Sequence, residues 1–188
     1  MMQHRADPPC RPPDPDRDGG FLCDAMLGRL ARWLRAAGHD TLLAEGTETD
    51  RDLLARARAE RRILLTRDRR FTQRQGAAGH VLLIEGGKIA DQARDLKRRL
   101  GLDWLRAPFS RCMMDNARLR PATAAETAGR PDWVGAEGGG TRVLACPACG
   151  RSYWAGSHRR RMRQRLEAWN RDMPRSAPPQ DQTGDVKG

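Results

Sequence analysis

The sequence predicts an α/β fold in which a parallel sheet is flanked by helices. Four short strands are predicted at 21–24, 40–43, 63–65 and 81–84, and most of their residues are apolar. Apolar runs of this length are typical of strands that are buried on both faces. Helical segments separate most of them, so the order is β-α-β-α-β-x-β-α, where x is an irregular segment. This alternation favours parallel pairing with helices on both faces of the sheet.

Each predicted helix carries its own start or stop signal. In the first, at 27–37, apolar residues recur every three or four positions, and Gly38 is expected to end the helix. The second begins at a cap formed by Thr49 or Asp50, whose side chains can accept a hydrogen bond from the first turn. The third covers 89–100 and is followed by another glycine. These signals support the order of elements given above.

Shifts in composition divide the chain into four parts. Residues 1–19 hold five of the twelve prolines and show no apolar period, so a disordered leader is predicted. Residues 20–104 form the α/β unit. Residues 105–170 form a small cysteine-bearing module that ends in a basic helix. Residues 171–188 are predicted to be a disordered tail.

The charge of the chain indicates a polyanionic partner. Lysine and arginine number 35 against 24 acidic residues, which gives a net charge of +11. A nucleic acid is the favoured partner, and an anionic membrane surface is the rival. No apolar run approaches the roughly 20 residues that a spanning helix needs, and the N-terminus lacks a signal-peptide core. We therefore expect a cytoplasmic protein without a membrane partner, whose five cysteines favour a metal site over disulfides.

The basic helix predicted at 157–170 carries much of this charge. Residues 150–175 contain eight arginines against two acids. Leu166 and Trp169 share the apolar side of the helix. The aromatic pair at 153–154 can stack on unpaired bases or pack over the module, and we expect the tryptophan to pack.

Aspartates follow two of the predicted strands. Asp24 ends the first apolar run and Asp68 follows the third. Neighbouring parallel strands end at the same edge of a sheet, where open α/β sheets bind their ligands. Converging carboxylates repel each other unless a cation lies between them, and a third acid, Asp50, would complete an oxygen-rich Mg²⁺ or Mn²⁺ site. The alternative is that these aspartates only cap the helices that follow.

Arginines near these acids are candidates for binding phosphate. Arg29, Arg32 and Arg35 recur every three residues along the first helix and are expected to form a basic stripe. Arg67 can bind a phosphate oxygen through its planar guanidinium, and Thr66 can orient a carboxylate through its hydroxyl. A solvated helix face and ordinary turn chemistry are the alternative interpretations.

The later cysteines predict a zinc site. Cys146 and Cys149 are spaced as a zinc knuckle, with two thiolates close enough to bind one ion. Cys112 and Asp115 have the spacing of a second knuckle, with an aspartate in place of a cysteine. His158 is the alternative fourth ligand. The other interpretation is a degenerate ribbon that is held by packing alone.

The order of the motifs resembles a known family. The motifs are residues 21–35, 38–40, 62–68 and Gln92 in the α/β unit, and residues 109–112, 146–150 and 153–158 in the module. Over residues 20–165 the chain is similar to the mut-seven C-terminal RNase domain, a PIN-like domain followed by a zinc ribbon. The resemblance implies a PIN-like fold and Mg²⁺- or Mn²⁺-dependent ribonuclease activity.

The resemblance also implies roles for individual residues. The family's acidic positions fall on Asp24, Asp50 and Asp68, and its ribbon cysteines fall on Cys112, Cys146 and Cys149. The fourth ribbon position falls on Asp115, where this sequence departs from the family pattern. That departure bears on the affinity for zinc and not on the nuclease centre.

We therefore expect a cytoplasmic, metal-dependent ribonuclease that prefers single-stranded RNA. The three acids would hold the metal, Arg29, Arg32 and Arg67 would position the RNA, and the ribbon and basic helix would add affinity. One alternative is a non-catalytic RNA- or ribosome-binding module that keeps the fold. Another is a protein-interaction adaptor that uses the ribbon as its contact surface. Acids that face phosphate favour the enzyme, because a pure binder gains nothing from negative charge there.

Overall fold

The secondary structure follows the predicted order. The computed structural model describes residues 19–128 and 142–171. The α/β unit contains β1 (Phe21–Cys23), α1 (Gly28–Ala37), β2 (Thr41–Leu43), α2 (Asp50–Ala59), β3 (Ile63–Thr66), β4 (Val81–Leu83) and α3 (Ile89–Leu100). The module that follows contains β5 (Arg120–Pro121), α4 (Ala124–Thr127), β6 (Leu144–Ala145), β7 (Ser152–Tyr153) and α5 (Ser157–Arg171). The predicted leader and tail lie outside the described residues, apart from Gly19 and Arg171.

The four strands of the α/β unit form one parallel sheet, as predicted. Their order is β2-β1-β3-β4. Cys23 at the end of β1 lies opposite Leu43 of β2 and Leu65 of β3. The strands therefore end together at one edge of the sheet, which we call the carboxyl edge. Among the described residues, no helix is long and apolar enough to cross a membrane.

Helices cover both faces of this sheet. Side chains along a strand point alternately to its two faces. In β1, Phe21 and Cys23 point into a core cluster that is built with α1 and α3, whereas Leu22 points into a second cluster that is built with α2. The same alternation holds in β3. The prediction of helices on both faces is confirmed.

Local signals set the ends of the helices. Gly38 has a φ of 97° and donates its backbone N–H to the carbonyl of Arg35 at 3.0 Å. A Cβ at this position would also collide with the backbone of Ala107, so only glycine fits. At α2 the cap is Thr49, whose hydroxyl accepts the N–H of Asp52 at 3.2 Å. The structure thus selects Thr49 from the two predicted caps.

Arg35 does not belong to the predicted basic stripe. Its side chain is 4% exposed and donates to the carbonyls of Thr41 at 2.8 Å and Met114 at 2.6 Å. Three residues of an α-helix advance by about 300°, so residues at this spacing drift around the helix. Arg32 remains exposed, whereas Arg35 has turned towards the module. The expected stripe is wrong at this position, where the arginine joins the two parts of the chain.

Asp40 makes a second connection between the α/β unit and the module. Its carboxylate binds Arg62 at 2.7 Å and Arg111 at 3.1 Å, and it accepts a hydrogen bond from Asn116 at 3.0 Å. Partial burial opposes ionisation of Asp40, but the hydrogen bonds from Arg62 and Asn116 outweigh it and lower the pKa. The carboxylate is therefore charged at neutral pH and holds the module in place.

The basic helix α5 packs back onto the α/β unit. Its buried residues, Leu166 and Trp169, join the core cluster of α1 and α3. The Trp169 ring meets the rings of Trp33 at 4.7 Å and Trp104 at 5.2 Å, both edge to face. Asn170 adds a hydrogen bond, because its side-chain oxygen accepts the backbone N–H of Trp104 at 3.0 Å. The tryptophan cluster thus holds α5 against the α/β unit.

We predict that Trp169→Ala strongly destabilises the α/β unit. The substitution leaves a cavity between two aromatic rings, which typically costs about 3–5 kcal/mol. Arg160→Ala is the matched control, because Arg160 is exposed on the same helix and its replacement should change the stability by less than about 0.5 kcal/mol. Urea unfolding followed by tryptophan fluorescence and circular dichroism measures both. Equal midpoints for the two variants would contradict this account of α5.

Candidate active site

Two of the predicted acids meet at the carboxyl edge of the sheet. Asp24 follows β1, and its N–H donates to the carbonyl of Leu65 in β3 at 2.9 Å. Asp68 lies two residues beyond the end of β3. The hydroxyl of Thr66 donates to Asp24 Oδ2 at 2.8 Å and accepts the N–H of Asp68 at 3.0 Å. Thr66 therefore connects the two acids and orients the carboxylate of Asp24, as the sequence suggested.

Arginines neutralise the other side of this group. Asp50, the first residue of α2, pairs with Arg74 at 2.7 Å, and Asp68 pairs with Arg70 at 2.7 Å. The guanidinium of Arg70 lowers the pKa of Asp68 through its hydrogen bonds, and the charge of Arg74 adds to the effect. Both arginines belong to the irregular segment after β3, which sequence reasoning did not connect with the acids. The sequence signal for this pairing is that both arginines follow Asp68 closely, at positions four residues apart.

The three acids lie at the carboxyl edge of the sheet, but they do not form a closed metal site. Within the described ranges, Asp24, Asp50 and Asp68 do not bring three oxygens within 4.8 Å of one another. Carboxylate oxygens are the donors that Mg²⁺ and Mn²⁺ prefer, and Mg²⁺ usually keeps several waters. The three acids therefore offer the type of donor that such an ion prefers, but with two of them paired to arginines they do not form a closed site. Two further acids have other partners: Asp52 accepts the Thr49 hydroxyl at 2.6 Å, and Asp91 pairs with Arg94 at 2.9 Å.

The three arginines predicted to bind substrate are exposed. Arg67 lies in the turn between Thr66 and Asp68, and Arg29 and Arg32 lie on the outer side of α1. No carboxylate of the described chain pairs with any of the three. Their charges are therefore available to a phosphate that approaches the carboxyl edge.

The predicted zinc ligands form one compact cluster. Single ligand atoms of Cys112, Asp115, Cys146 and Cys149 all lie within 4.8 Å of one another. The Cys146 thiol donates to both oxygens of Asp115 at 3.2 Å, and the sulfurs of Cys112 and Cys149 are 3.7 Å apart. Three sulfurs and one carboxylate oxygen in this arrangement fit a tetrahedral zinc ion.

Tight backbone turns bring these four side chains together. Asn116 has a φ of 72° and Gly150 a φ of 69°, so both adopt the left-handed conformation that closes a knuckle. The N–H of Met114 donates to the sulfur of Cys112 at 3.4 Å, and the N–H of Cys149 donates to Cys146 at 3.5 Å. The antiparallel order β5-β6-β7 then holds the turn that carries Cys146.

Thiols donate hydrogen bonds to the carboxylate inside the cluster. Partial burial opposes ionisation of Asp115, but hydrogen bonds from the Cys149 thiol and a backbone N–H lower the pKa of Asp115 to about 2. The same hydrogen bond to Asp115 raises the pKa of Cys149 to about 12, and burial raises the pKa of Cys146. A divalent ion would replace these protons, because thiolates are the form that binds metal.

The structure distinguishes between the alternatives for two neighbours of the cluster. Tyr153 could stack on bases or pack over the module, and it packs: its hydroxyl lies 3.0 Å from the sulfur of Cys112, and burial together with this contact raises its pKa. His158 was the alternative fourth zinc ligand. It is exposed and is not one of the four clustered residues in the described chain, so the fourth position belongs to Asp115.

Comparison with known families covers both parts of this arrangement. A model of the Mut7-C RNAse domain matches residues 19–166, from the first strand through most of α5. No curated protein and no solved structure matches the chain. The match includes the acids at the carboxyl edge and the cysteine cluster, and it spans most of the chain. The chain therefore belongs to the Mut7-C RNAse domain family.

Proposed function

We propose that the chain is a metal-dependent ribonuclease that hydrolyses phosphodiester bonds of single-stranded RNA. One observation carries the proposal: Asp24 and Asp68 come from separate strands and meet at one edge, joined by Thr66. This edge is where open α/β sheets bind ligands. Membership of an RNase family gives RNA as the substrate class.

The acids would hold one or two divalent ions. Asp24, Asp50 and Asp68 are the proposed ligands, and Mg²⁺ or Mn²⁺ bound there supplies a polarised phosphate and an activated water. Thr66 fixes the direction of the Asp24 carboxylate, so this ligand needs little rearrangement. Arg67 is exposed beside the acids and would bind a phosphate oxygen of the RNA.

Arg70 and Arg74 would balance charge before the ion arrives. Each pairs with an acid through an exposed guanidinium, and exposed pairs are weak, so a divalent ion competes with them readily. Once released, the two side chains lie close enough to the edge to bind RNA phosphates. The segment after β3 would then change from a partner of the acids to a partner of the substrate.

The cysteine cluster would hold a structural zinc ion. Four protein ligands leave no open coordination position, which is typical of structural sites. Its place beside Arg35 and Asp40, which join the module to the α/β unit, supports a role in keeping the module folded.

A non-catalytic RNA-binding module is the second candidate. The observation that favours it is the pairing of Asp50 and Asp68 with arginines of the same chain, because an already neutral edge does not require a metal. Such a protein would bind RNA with a steep dependence on salt and show no turnover.

We expect Asp24→Asn to abolish most RNA cleavage. The substitution keeps the hydrogen bond from Thr66 but removes the charge that holds the ion, so the rate should fall about a hundredfold or more. The assay follows a fluorescent RNA oligonucleotide with Mn²⁺. The control is Asp52→Asn, which removes the same charge from a first-turn residue of α2 that accepts the Thr49 hydroxyl, and this variant should cleave normally. Equal cleavage by Asp24→Asn and the unaltered chain would remove Asp24 from the mechanism, and no cleavage by either would favour the binding module.

Arg70→Gln should raise the affinity for Mn²⁺. Removal of the cation frees the oxygens of Asp68, and exposed ion pairs of this kind are worth roughly twofold to fivefold in a binding constant. Titration of Mn²⁺ followed by water proton relaxation measures the dissociation constant without RNA. Arg69→Gln is the control, since Arg69 is exposed one residue away and its side chain pairs with no acid of the described residues. A weaker affinity in Arg70→Gln would show that Arg70 supports the ion instead of competing with it.

Zinc content tests the cysteine cluster. We expect about one zinc per purified chain, its loss in Cys146→Ser, and a tighter complex in Asp115→Cys, because a thiolate is a softer ligand than a carboxylate. Elemental analysis gives the stoichiometry, and competition with a coloured chelator gives the affinity. Cys23→Ser serves as the control, because Cys23 lies in the core of the α/β unit. A zinc-free chain with an unaltered unfolding temperature would show that packing alone holds the module.

A further inference from the structure

A groove separates α1 from α5 on the surface of the molecule. It has a volume of about 370 Å³ and is lined by Arg29 and Arg32 from α1 and by Arg161 and Arg165 from α5. The indole of Trp33 lies at its base, with the guanidinium of Arg165 6.0 Å from the ring centre. Two helices that are distant in sequence therefore direct four arginines into one concave surface.

Within residues 19–128 and 142–171, these arginines pair with no acidic side chain. All four are exposed, and no aspartate or glutamate of the described residues lines the groove. By contrast, Arg163 on another side of α5 pairs with Glu167 at 3.0 Å. Uncompensated positive charge in a concave site attracts a polyanion more strongly than the same charge on a flat surface. The groove is thus suited to a chain of phosphates.

One end of the groove opens into an aromatic pocket. This pocket has a volume of about 420 Å³, shares Met113 and Met162 with the groove, and is lined by Phe109 and Trp154. Trp154 was expected to pack over the module, and at 36% exposure it also keeps part of its surface open. An exposed indole beside a chain of cations is the usual combination in proteins that bind single strands, because every base can stack on it.

The other end of the groove reaches the carboxyl edge. A cavity of about 450 Å³ there is lined by Arg29 and Arg165, which also line the groove, and by Lys88. Lys88 follows β4 and precedes α3, on the same side of the sheet as Asp24. The three cavities share lining residues, so basic side chains extend from the loop after β4, at the carboxyl edge, to the pocket that holds Trp154.

We propose that single-stranded RNA runs through this groove, with its phosphates on Arg29, Arg32, Arg161 and Arg165 and an unpaired base against Trp154. This proposal rests on the proposed function, because it takes the RNA strand to run along the groove towards the acids. A duplex does not expose a free base face to the aromatic pocket, and a lipid surface does not follow a concave path. The expected ligand is thus an unpaired strand.

Binding of a fluorescein-labelled oligouridylate, measured by anisotropy without added Mg²⁺ or Mn²⁺, tests the groove separately from cleavage. Arg161→Gln combined with Arg165→Gln should weaken binding about tenfold. It should also lower the slope of log affinity against log salt by about 1.4, which is the value for two lost phosphate contacts on a single strand. Arg160→Gln combined with Arg163→Gln removes the same charge outside the groove and should weaken binding less than about threefold.

Trp154→Ala tests the pocket. It should weaken binding of oligouridylate about tenfold and leave binding of inorganic polyphosphate, which has no bases, unchanged. Circular dichroism and thermal unfolding check each variant, and Arg161→Gln alone replaces the double variant if loss of Arg165 from Trp33 unfolds the helix.

Three outcomes would contradict the proposal that the groove binds single-stranded RNA. They are equal weakening by both arginine pairs, stronger binding of duplex RNA than of the single strand, and stronger binding of phosphatidylserine vesicles than of the single strand. Failure of the proposed function gives a different result. In that case the groove variants would still lose RNA binding, while no chain would cleave. If the chain cleaves RNA and the groove variants keep the KM of the unaltered chain, the proposed ribonuclease function would stand and the proposal about the groove would be wrong.

Discussion

Pairing of β1 with β3 is the constraint on which the candidate site depends. The two strands are parallel neighbours, so residues that are more than forty positions apart in sequence end at the same edge. Thr66 then acts within this pairing, because its buried hydroxyl binds the Asp24 carboxylate and the Asp68 backbone together. The hydroxyl donates a hydrogen bond to the carboxylate of Asp24 and accepts one from the backbone N–H of Asp68. The carboxylate of Asp24 is thereby fixed before any ligand is bound.

The two centres of the molecule balance their charges in different ways. At the carboxyl edge, side chains of Arg70 and Arg74 neutralise Asp68 and Asp50. In the cysteine cluster, thiols that keep their protons stabilise the negative charge of Asp115 by hydrogen bonding. The first arrangement is exposed and exchangeable, which suits a site that must admit substrate. The second is held in position by backbone turns, which would suit a structural ion.

Much of this fold was predictable because its signals are local. Gly38 ends a helix through its own φ, and alternation along β1 follows from strand geometry. The unpredicted features depend on tertiary contacts. Arg35 has the spacing of a surface residue, but the docked module buries it. The pairing of Arg74 with Asp50 joins residues 24 positions apart across an irregular segment, and no periodic pattern encodes such a contact.

The basic helix α5 shows how one element serves both stability and recognition. Its 3.6-residue period places Leu166 and Trp169 against the tryptophan cluster while Arg161 and Arg165 line the groove beside α1. The arginines are therefore held at a fixed distance from Arg29 by a buried aromatic contact, not by a flexible tail. If the helix were released, the chain would keep its net charge but lose the alignment of that charge. On the proposed path, affinity for RNA would depend on packing in the core as well as on the number of arginines.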